Sequence, residues 1–293
     1  MLKNALVYKF EVPFTENDLT LEEKFKEYTL RPCLILEMQS VGFLPAFPRG
    51  RNLVVQLEKF IFLNIGIEEK ILPKAALNNA VERKAEQNNI DITTKSRRKE
   101  LEESLLAELL PHALTQRKNI RAFIDLEKQW LVIDAGTANK ASLVTSLMRK
   151  ALGTLSIVVE APTQSVQYAM TYWAKFGLKE NDFEILEDIE IKSLKDDGGQ
   201  ARLKGLPITA HEVQQHIEGD WQVTKLLIEY KERLQFSLGN DFILKRLKLT
   251  DLANEEIDGD DDPFLQAQTA ALIMAHELRS VLTRLLNLIS NAD

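Results

Sequence analysis

The feature that most limits how this chain can fold is the grouping of its strand-like segments. Between residues 183 and 247 β-branched and aromatic residues are frequent, interrupted by a turn at 197–199 and by one helix. That helix is expected to begin near Thr209, with Glu212 completing a capping box. Strands grouped in this way are typical of α+β folds and not of regular βαβ alternation. We therefore predict an α+β protein with antiparallel-rich sheets and flanking helices.

The N-terminal half contains strands and helices in a mixed order. Alternating apolar and polar residues predict a strand over residues 2–12, with Leu6, Tyr8 and Phe10 on one face. Thr15 is expected to cap a helix that continues to about residue 28. The further predicted elements are a strand at 60–67, a hairpin of 120–124 with 130–133, a helix at 138–152 and a strand at 155–159.

A long charged region that starts at Pro73 separates these strands. Leu101, Leu105 and Leu109 form one apolar stripe, whereas residues 88–94 are β-branched or Asn-rich and weaken a helix. We expect a helical hairpin or a kinked arm. Because 293 residues exceed one typical domain, we predict two regions. They are an N-terminal α+β region over 1–160 with the arm at about 73–110, and a C-terminal α+β region over 161–293 with a terminal helix.

The last helix is predicted to begin with Asp262 as N-cap and Pro263 in its first turn. From Ala267 to Leu288 its apolar positions step by four and three residues, which is the spacing of a heptad seam. Two interpretations remain open: a helix packed on its own domain, or an interface between two chains. The first is favoured because only about three heptads are present.

Residues able to support catalysis or metal binding do not occur at the spacings that such sites require. His211 and His216 are five residues apart, which places them about 140° apart on a helix. The acidic run at 258–262 starts like a calcium loop but lacks the glycine and the glutamate that the loop needs. Cys33 has no histidine near it in sequence, and no phosphate-binding glycine pattern is present. We therefore predict no catalytic residues, no metal and no cofactor.

The charge distribution leaves room for a polyanionic partner in spite of a net charge of −7, although each basic cluster on its own is more often a solvated face. Residues 251–262 contain seven acids and no base, so the rest of the chain is formally neutral. Four short basic clusters lie in that remainder, and aromatic residues are not interleaved with them, which favours the backbone of duplex DNA over stacked single strands. The clusters are Lys95, Arg97, Arg98 and Lys99; Arg117, Lys118 and Arg121; Arg202 and Lys204; and Lys245, Arg246 and Lys248.

The sequence also predicts a soluble, cytoplasmic protein. No apolar segment reaches the roughly 18 residues that a membrane span requires, and the N-terminal residues lack the apolar run of a signal peptide. The single cysteine, Cys33, cannot form an internal disulfide, which fits a reducing compartment. We expect no membrane partner.

Seven stretches, in order along almost the whole chain, resemble the RdgC family of recombination-associated proteins. They are LKNALVYKF at the start, EEKILP from Glu68, LLPHA from Leu109, RKALGTL from Arg149, SLKDDGG from Ser193, VTKLLIEYKERLQF from Val223 and LKRLKL after it. The resemblance implies an extended, curved monomer that forms a ring-shaped homodimer through two contacts, with a positively lined hole able to encircle duplex DNA. It also implies binding without sequence specificity and antagonism of RecA by competition for DNA, in the cytoplasm and on the nucleoid. Single-stranded DNA is the alternative ligand.

The resemblance extends to particular residues. Leu114 stands where relatives can carry a phenylalanine at a dimer contact, and a leucine has less area to bury there. The turn that starts at Lys204 stands where relatives can carry adjacent basic and amide residues, so a possible DNA contact is lost. From the clusters and the resemblance together, the residues expected to bind DNA are Lys70, Arg97, Arg98, Arg117, Lys118, Arg121, Arg149, Lys150, Lys204, Lys225, Arg233, Lys245, Arg246 and Lys248.

Two other hypotheses remain open. The first is a protein-interaction module that acts directly on a recombinase through the acidic loop or the terminal helix, with DNA binding incidental. The second is a nuclease or another hydrolase, because catalytic groups that meet only in the fold escape a search by sequence spacing.

Overall fold

The computed structural model describes residues 1–178, 180–195, 198–257 and 262–291. Its twelve strands are β1 (Asn4–Phe10), β2 (Gln39–Leu44), β3 (Val54–Leu57), β4 (Phe60–Ile71), β5 (Leu114–Asp125), β6 (Trp130–Ile133), β7 (Ile157–Val159), β8 (Phe183–Ser193), β9 (Gln200–Lys204), β10 (Trp221–Tyr230), β11 (Leu234–Gly239) and β12 (Leu244–Leu249). The helices are α1 (Asp18–Lys26), α2 (Lys74–Gln87), α3 (Lys95–Leu109), α4 (Ala138–Leu152), α5 (Val166–Phe176), α6 (His211–Glu218), α7 (Asp251–Asn254) and α8 (Pro263–Ser290).

All of these strands belong to one sheet, in the order β2-β4-β5-β6-β1-β12-β11-β10-β8-β9. The short strands β3 and β7 pair with β4 and β1, and every named strand pair is antiparallel. Strand β1 joins the two halves, since Leu6 pairs with Ile133 of β6 while Ala5 pairs with Leu244 of β12. The predicted α+β fold with antiparallel-rich sheets and flanking helices is confirmed. The division at residue 160, the curved monomer and the ring-shaped dimer stay predictions.

Successive side chains of β1 point alternately into two hydrophobic cores, which lie on opposite faces of the sheet. Leu6 and Phe10 are buried in one core, with Tyr8 packed against it, as the sequence pattern predicted. That core lies under α1 and α4. Ala5 and Val7 point into the other core, which α5, α6 and α8 cover. Because α8 also contacts Phe60 of β4 from this side, helices cover both faces of the N-terminal strands and one face of the C-terminal strands.

The helical arm is a hairpin of α2 and α3, inserted between β4 and β5. The predicted break lies at the turn between them, where Asn89 has a φ of 51°. Leu77, Val81 and Leu105 form a small core of the arm's own. The two strand ends that carry the arm, Ile71 and Leu114, pair with each other, and a helix of 14 residues extends about 21 Å.

Three local predictions differ from the structure. Asn17, and not Thr15, caps α1, because its side chain accepts from the Thr20 amide at 2.9 Å. The capping box at Thr209 is wrong, since α6 begins after Ala210 and has no side-chain cap. Strand β5 begins at Leu114 and not at residue 120, because it pairs with β4 over its whole length.

Helix α8 packs on its own chain. Met274, Leu278, Val281 and Leu285, four positions of the heptad seam, are buried in the core beneath it. The seam therefore packs within the chain, against strands of both predicted regions. Asp262 caps α8 as predicted, accepting from the Phe264 amide at 2.9 Å. The predicted acidic loop falls partly at 258–261, and the predicted glycine turn partly at 196–197, outside the described residues.

Candidate nucleic-acid interface

Two adjoining cavities, of about 400 and 830 Å³, lie between α4 and the ends of β2, β4 and β5. Gln39 and Leu143 line both cavities, so the two are adjacent parts of one surface region. Its charged lining consists of seven cations and four carboxylates, and we call it the basic trough. These residues are Lys3, Arg31, Arg117, Lys118, Arg121, Lys140 and Lys150, with Glu27, Glu37, Glu69 and Asp134.

Local sequence explains how two walls of the trough are built. Lys140, Leu143, Leu147 and Lys150 are spaced by three and four residues, so they share the face of α4 that lines the trough. Helix α4 starts at this end because Thr137 caps it, accepting from the Lys140 amide at 3.4 Å. A helix N-terminus carries partial positive charge, which adds to that of the side chains.

Three of the four carboxylates of the trough are already engaged. Glu37 accepts two hydrogen bonds from Arg31 at 2.6 and 2.7 Å, which lower the pKa of this carboxyl group to about 2. Glu69 pairs with Lys118. Asp134 accepts from the amides of Lys3 and Asn4, at 3.1 and 2.9 Å. These acids therefore take up little of the charge of the remaining cations.

Four cations of the trough have no ion-pair partner among the described residues: Lys3, Arg121, Lys140 and Lys150. Arg121 donates to the main-chain oxygen of Met1 at 3.0 Å, which holds its guanidinium over the larger cavity. Arg117 is different, because its Nε donates to the buried Glu68 at 2.6 Å. That hydrogen bond, with a second from the Cys33 amide, holds the pKa of Glu68 below its usual range.

A second group of predicted residues lies next to the trough, on β12. The main-chain oxygen of Lys3 accepts from the Leu247 amide at 2.9 Å, so the N-terminal residues connect Arg121 to this strand. Lys248 is exposed, and Lys245 lies 3.2 Å from Asp241. The structure thus brings together cations that are more than 100 positions apart in the sequence.

Arg246 of β12 belongs to an ion network on the sheet face outside the core. Asp188, which is almost fully buried, accepts from Arg202 at 2.8 and 3.1 Å and from Arg246 at 2.9 Å. These donors, Arg202 first, lower the pKa of Asp188 to about 2. Lys225 pairs in the same region with Glu190 at 2.8 Å. Lys204, at the end of β9, is exposed.

We expect Asp188→Asn to destabilise the protein by about 1–2 kcal/mol near neutral pH, because the folded state binds its proton less tightly than the unfolded state does. Because the pKa of Asp188 is lowered from its usual value of 3.8, the ionised carboxylate stabilises the folded protein at pH values above 3.8. This contribution is lost as the pH falls towards 2. Urea unfolding of both proteins at pH 7 and pH 3 checks this. The difference between them should shrink at pH 3; an equal difference at both values would contradict it.

Other predicted residues are separate from the trough or already paired. In the arm, Arg97 lies 3.0 Å from Asp91 and Arg98 lies 3.5 Å from Glu82. The Arg233 guanidinium is held between Glu256 and Glu277.

Two more of the predicted cations make contacts with main-chain oxygens. The Lys70 amino group donates to the oxygen of Ile35, and Arg149 donates to that of Leu155 at 3.4 Å. Arg149 and Lys150 are neighbours on α4, but only Lys150 lines the trough. Assignment of the predicted residues to DNA stays a prediction for the whole set.

The sequence analysis missed Lys3, Lys140 and Arg31 because none of them lies in a basic cluster. Arg31 reaches the trough because its chain segment crosses β2 closely. A Cβ atom at Gly42 would come within 2.4 Å of the Leu30 nitrogen, so only glycine permits this crossing. The one local signal for Lys140 was its position in the first turn of α4, where the helix dipole disfavours a positive charge.

The described residues contain neither a metal-binding cluster nor a membrane-spanning helix. No group of three or more His, Cys, Asp and Glu side chains among them is arranged to hold a metal ion. None of the helices, over the same residues, is long and apolar enough to cross a membrane.

Comparison with known proteins gives one consistent family. A family model described as "Putative exonuclease, RdgC" matches residues 1–292. Proteins named recombination-associated protein RdgC are similar over nearly their full length. The protein of Shewanella halifaxensis is 31% identical, covering 99% of this chain and 98% of its own. That of Pseudoalteromonas translucida is 31% identical with the same coverage, and that of Proteus mirabilis is 30% identical, covering 98% and 97%.

Proposed function

The chain belongs to the RdgC family, and from this premise we propose that it binds the backbone of duplex DNA without sequence preference. It does so as a ring-shaped homodimer that encircles DNA, and it restrains RecA-dependent recombination by competing for that DNA. On this proposal the protein acts in the cytoplasm on the nucleoid and has no enzymatic activity.

The observation that carries the proposal is the basic trough. In a chain with a net charge of −7, seven cations line one surface region with only four carboxylates. Three of these carboxylates are engaged by cations or by backbone amides. Phosphates bind where cations replace their counterions, and such contacts carry no sequence information. The trough therefore supports backbone contact and favours no particular base sequence.

An exposed apolar surface beside the arm supports a homodimer. Leu114 is 77% exposed at the start of β5, and its strand partner Ile71 is also exposed. The loop that carries Ile35 adds further exposed apolar side chains, and Lys70 binds it to β4. Exposed large apolar side chains of this kind are typical of protein–protein contacts. We propose that this surface forms one of the two dimer contacts.

Replacing Leu114 by aspartate is expected to weaken the dimer at least tenfold, because a charge would have to be desolvated in the contact. Sedimentation velocity over a range of protein concentrations measures the shift towards monomer. Leu194→Asp provides a matched control, because Leu194 is 59% exposed and is not part of this surface. An unchanged dimer for Leu114→Asp would show that this surface is not a contact.

The description of the family model makes exonuclease activity the alternative to be tested. Incubation of the pure protein with end-labelled duplex DNA and magnesium, followed by electrophoresis, measures release of nucleotides. We expect intact DNA at all times. Release that scales with protein concentration and disappears in a trough variant would overturn the non-enzymatic proposal.

Competition with RecA is distinguishable from direct action on a recombinase. If DNA is the common ligand, removing the charges of Arg117, Lys118 and Arg121 weakens DNA binding and RecA inhibition together. If the protein instead binds the recombinase, the same variant inhibits RecA as before. A strand-exchange assay with titrated variant, beside a DNA-binding curve, separates these outcomes.

A further inference from the structure

Strand β5 has an open edge along the floor of the basic trough. Strand β6 pairs only with Ala122–Asp125, and the chain then leaves the sheet towards α4. From Leu114 to Arg121, strand β5 is paired with β4 on one side. On its other side no described strand continues the sheet. Residues 114–119 are all exposed, as expected for an edge strand.

Two hydrogen bonds establish which backbone groups face the open edge. The Arg121 oxygen accepts from the Asp134 amide at 2.8 Å, on the side of β5 away from β4. The Lys70 amide, opposite Thr115, donates at 2.8 Å to Met38 and therefore points away from β5. Since every second residue of a strand points its N–H and C=O groups to the same side, Thr115, Arg117 and Asn119 present theirs to the open edge, and the last two line the trough.

DNA does not match this part of the trough. A phosphate accepts hydrogen bonds but donates none, so it would leave the carbonyl oxygens of Thr115, Arg117 and Asn119 without a donor. An extended peptide offers N–H and C=O groups in alternation and can pair with all of them. The backbone edge is therefore a feature that DNA binding does not use.

We propose that the open edge of β5 binds an extended acidic peptide from another protein as an added strand. The side chains of Arg117 and Arg121 lie on the same face of β5. Charge complementarity with these two arginines therefore identifies an acidic partner. A peptide with carboxylates at alternate positions matches this row, while Ile120 and Leu143 line the trough for its apolar side chains. The edge forms the floor of a cavity of about 830 Å³, which lies within the range of ligand sites.

Charged residues on an edge strand also protect it against aggregation. Lys3 immediately precedes β1 and Lys140 lies in α4, so both belong to the wall of the trough opposite the edge. Because they are not part of the edge strand, they do not protect it against aggregation. A wall of cations facing an open backbone edge fits an acidic strand between the two. The proposal stands on this geometry and does not depend on DNA binding.

The test uses the full-length protein and a labelled eight-residue peptide in which Glu alternates with Val. Fluorescence anisotropy measures its affinity. The control peptide has the same sequence with N-methyl groups on alternate amides, in two versions that cover both registers, because methylation removes backbone donors without changing charge. We expect at least one methylated version to bind at least tenfold more weakly. Equal affinity of all three peptides, or no binding of the first, would overturn the proposal.

A matched pair of variants tests the protein side. Asn119→Pro removes one N–H group that faces the trough, and proline is tolerated on edge strands where that group faces outward. Asn119→Ala removes the side chain and keeps the N–H group. We expect Asn119→Pro to weaken peptide binding about tenfold and Asn119→Ala less than twofold.

The two proposals fail in different ways. If the wild-type protein fails to bind DNA but pairs with the peptide normally, the acidic-strand proposal stands alone, and normal DNA binding with equal affinity for methylated peptides overturns that proposal alone. If Asn119→Pro changes the sedimentation of the dimer and not peptide affinity, the edge is occupied by a second copy and the proposal is wrong. If Asn119→Pro fails to fold by circular dichroism, the peptide comparison still decides.

Discussion

Replacing Arg279 by methionine is expected to destabilise the protein by about 3–5 kcal/mol, since it leaves a buried carboxylate without its cation. Asp125 is fully buried and accepts from Arg279 at 2.6 and 2.9 Å. The same guanidinium lies 4.1 Å from the centre of the Phe60 ring and donates to Glu127 at 2.7 Å. Arg279 therefore fastens α8 to the β5–β6 hairpin, and methionine would retain only its apolar stem.

Urea unfolding at neutral pH measures this change, as a lower midpoint with an unchanged slope. Arg284→Met is the matched control on the same helix. Its pair with Asp182, at 3.0 Å, is half-exposed and should contribute no more than about 1 kcal/mol. Adding Asp125→Asn to Arg279→Met should recover part of the stability, because it removes the uncompensated charge. Equal losses for Arg279→Met and Arg284→Met would contradict the account of how α8 is held.

Replacing Arg121, Lys140 and Lys150 together by alanine is expected to weaken duplex binding about 100-fold at roughly 0.1 M salt. These three cations line the trough and have no ion-pair partner among the described residues, so each is available to a phosphate. Each lost phosphate contact should also reduce the slope of log affinity against log salt by about 0.9. The variant should therefore lose about 2.7 from the slope as well as affinity.

A triple variant with the same change in charge outside the trough is the control. Lys9, Lys59 and Lys175 are exposed, and none of them lines the trough. Their replacement by alanine should change affinity by only a few fold, through the general loss of positive charge. If both triple variants weaken binding equally, the net charge of the protein and not the trough determines its affinity.

Local patterns predicted most elements of the fold. Helix α4 has the predicted bounds, and the break between α2 and α3 lies where β-branched and Asn residues were expected to weaken a helix. Residues that are close together in the sequence determine both the bounds of α4 and the break between α2 and α3. The length of β5 was underestimated, because residues 115–119 are polar on both faces and form a strand only through pairing with β4. A strand of that kind has no alternating pattern to be recognised.

The candidate site was less accessible from the sequence. The second basic cluster does supply Arg117, Lys118 and Arg121 to the trough. Three-dimensional packing adds the N-terminus and α4, which are distant in sequence. It also pairs other cations with acids, and Arg233 is the clearest case, because Glu256 and Glu277 engage its guanidinium and hold its pKa above the usual range. Counting basic residues cannot distinguish a cation open to solvent from one already neutralised.

The central claim, that this chain binds DNA through its backbone without reading sequence, is tested most directly by salt-titrated binding curves on two duplexes of equal length and unrelated sequence. The account predicts two superimposable lines of log affinity against log salt, with a slope of about 0.9 for each phosphate neutralised. A slope near zero, or affinities that differ between the duplexes by more than about tenfold at every salt concentration, would contradict it.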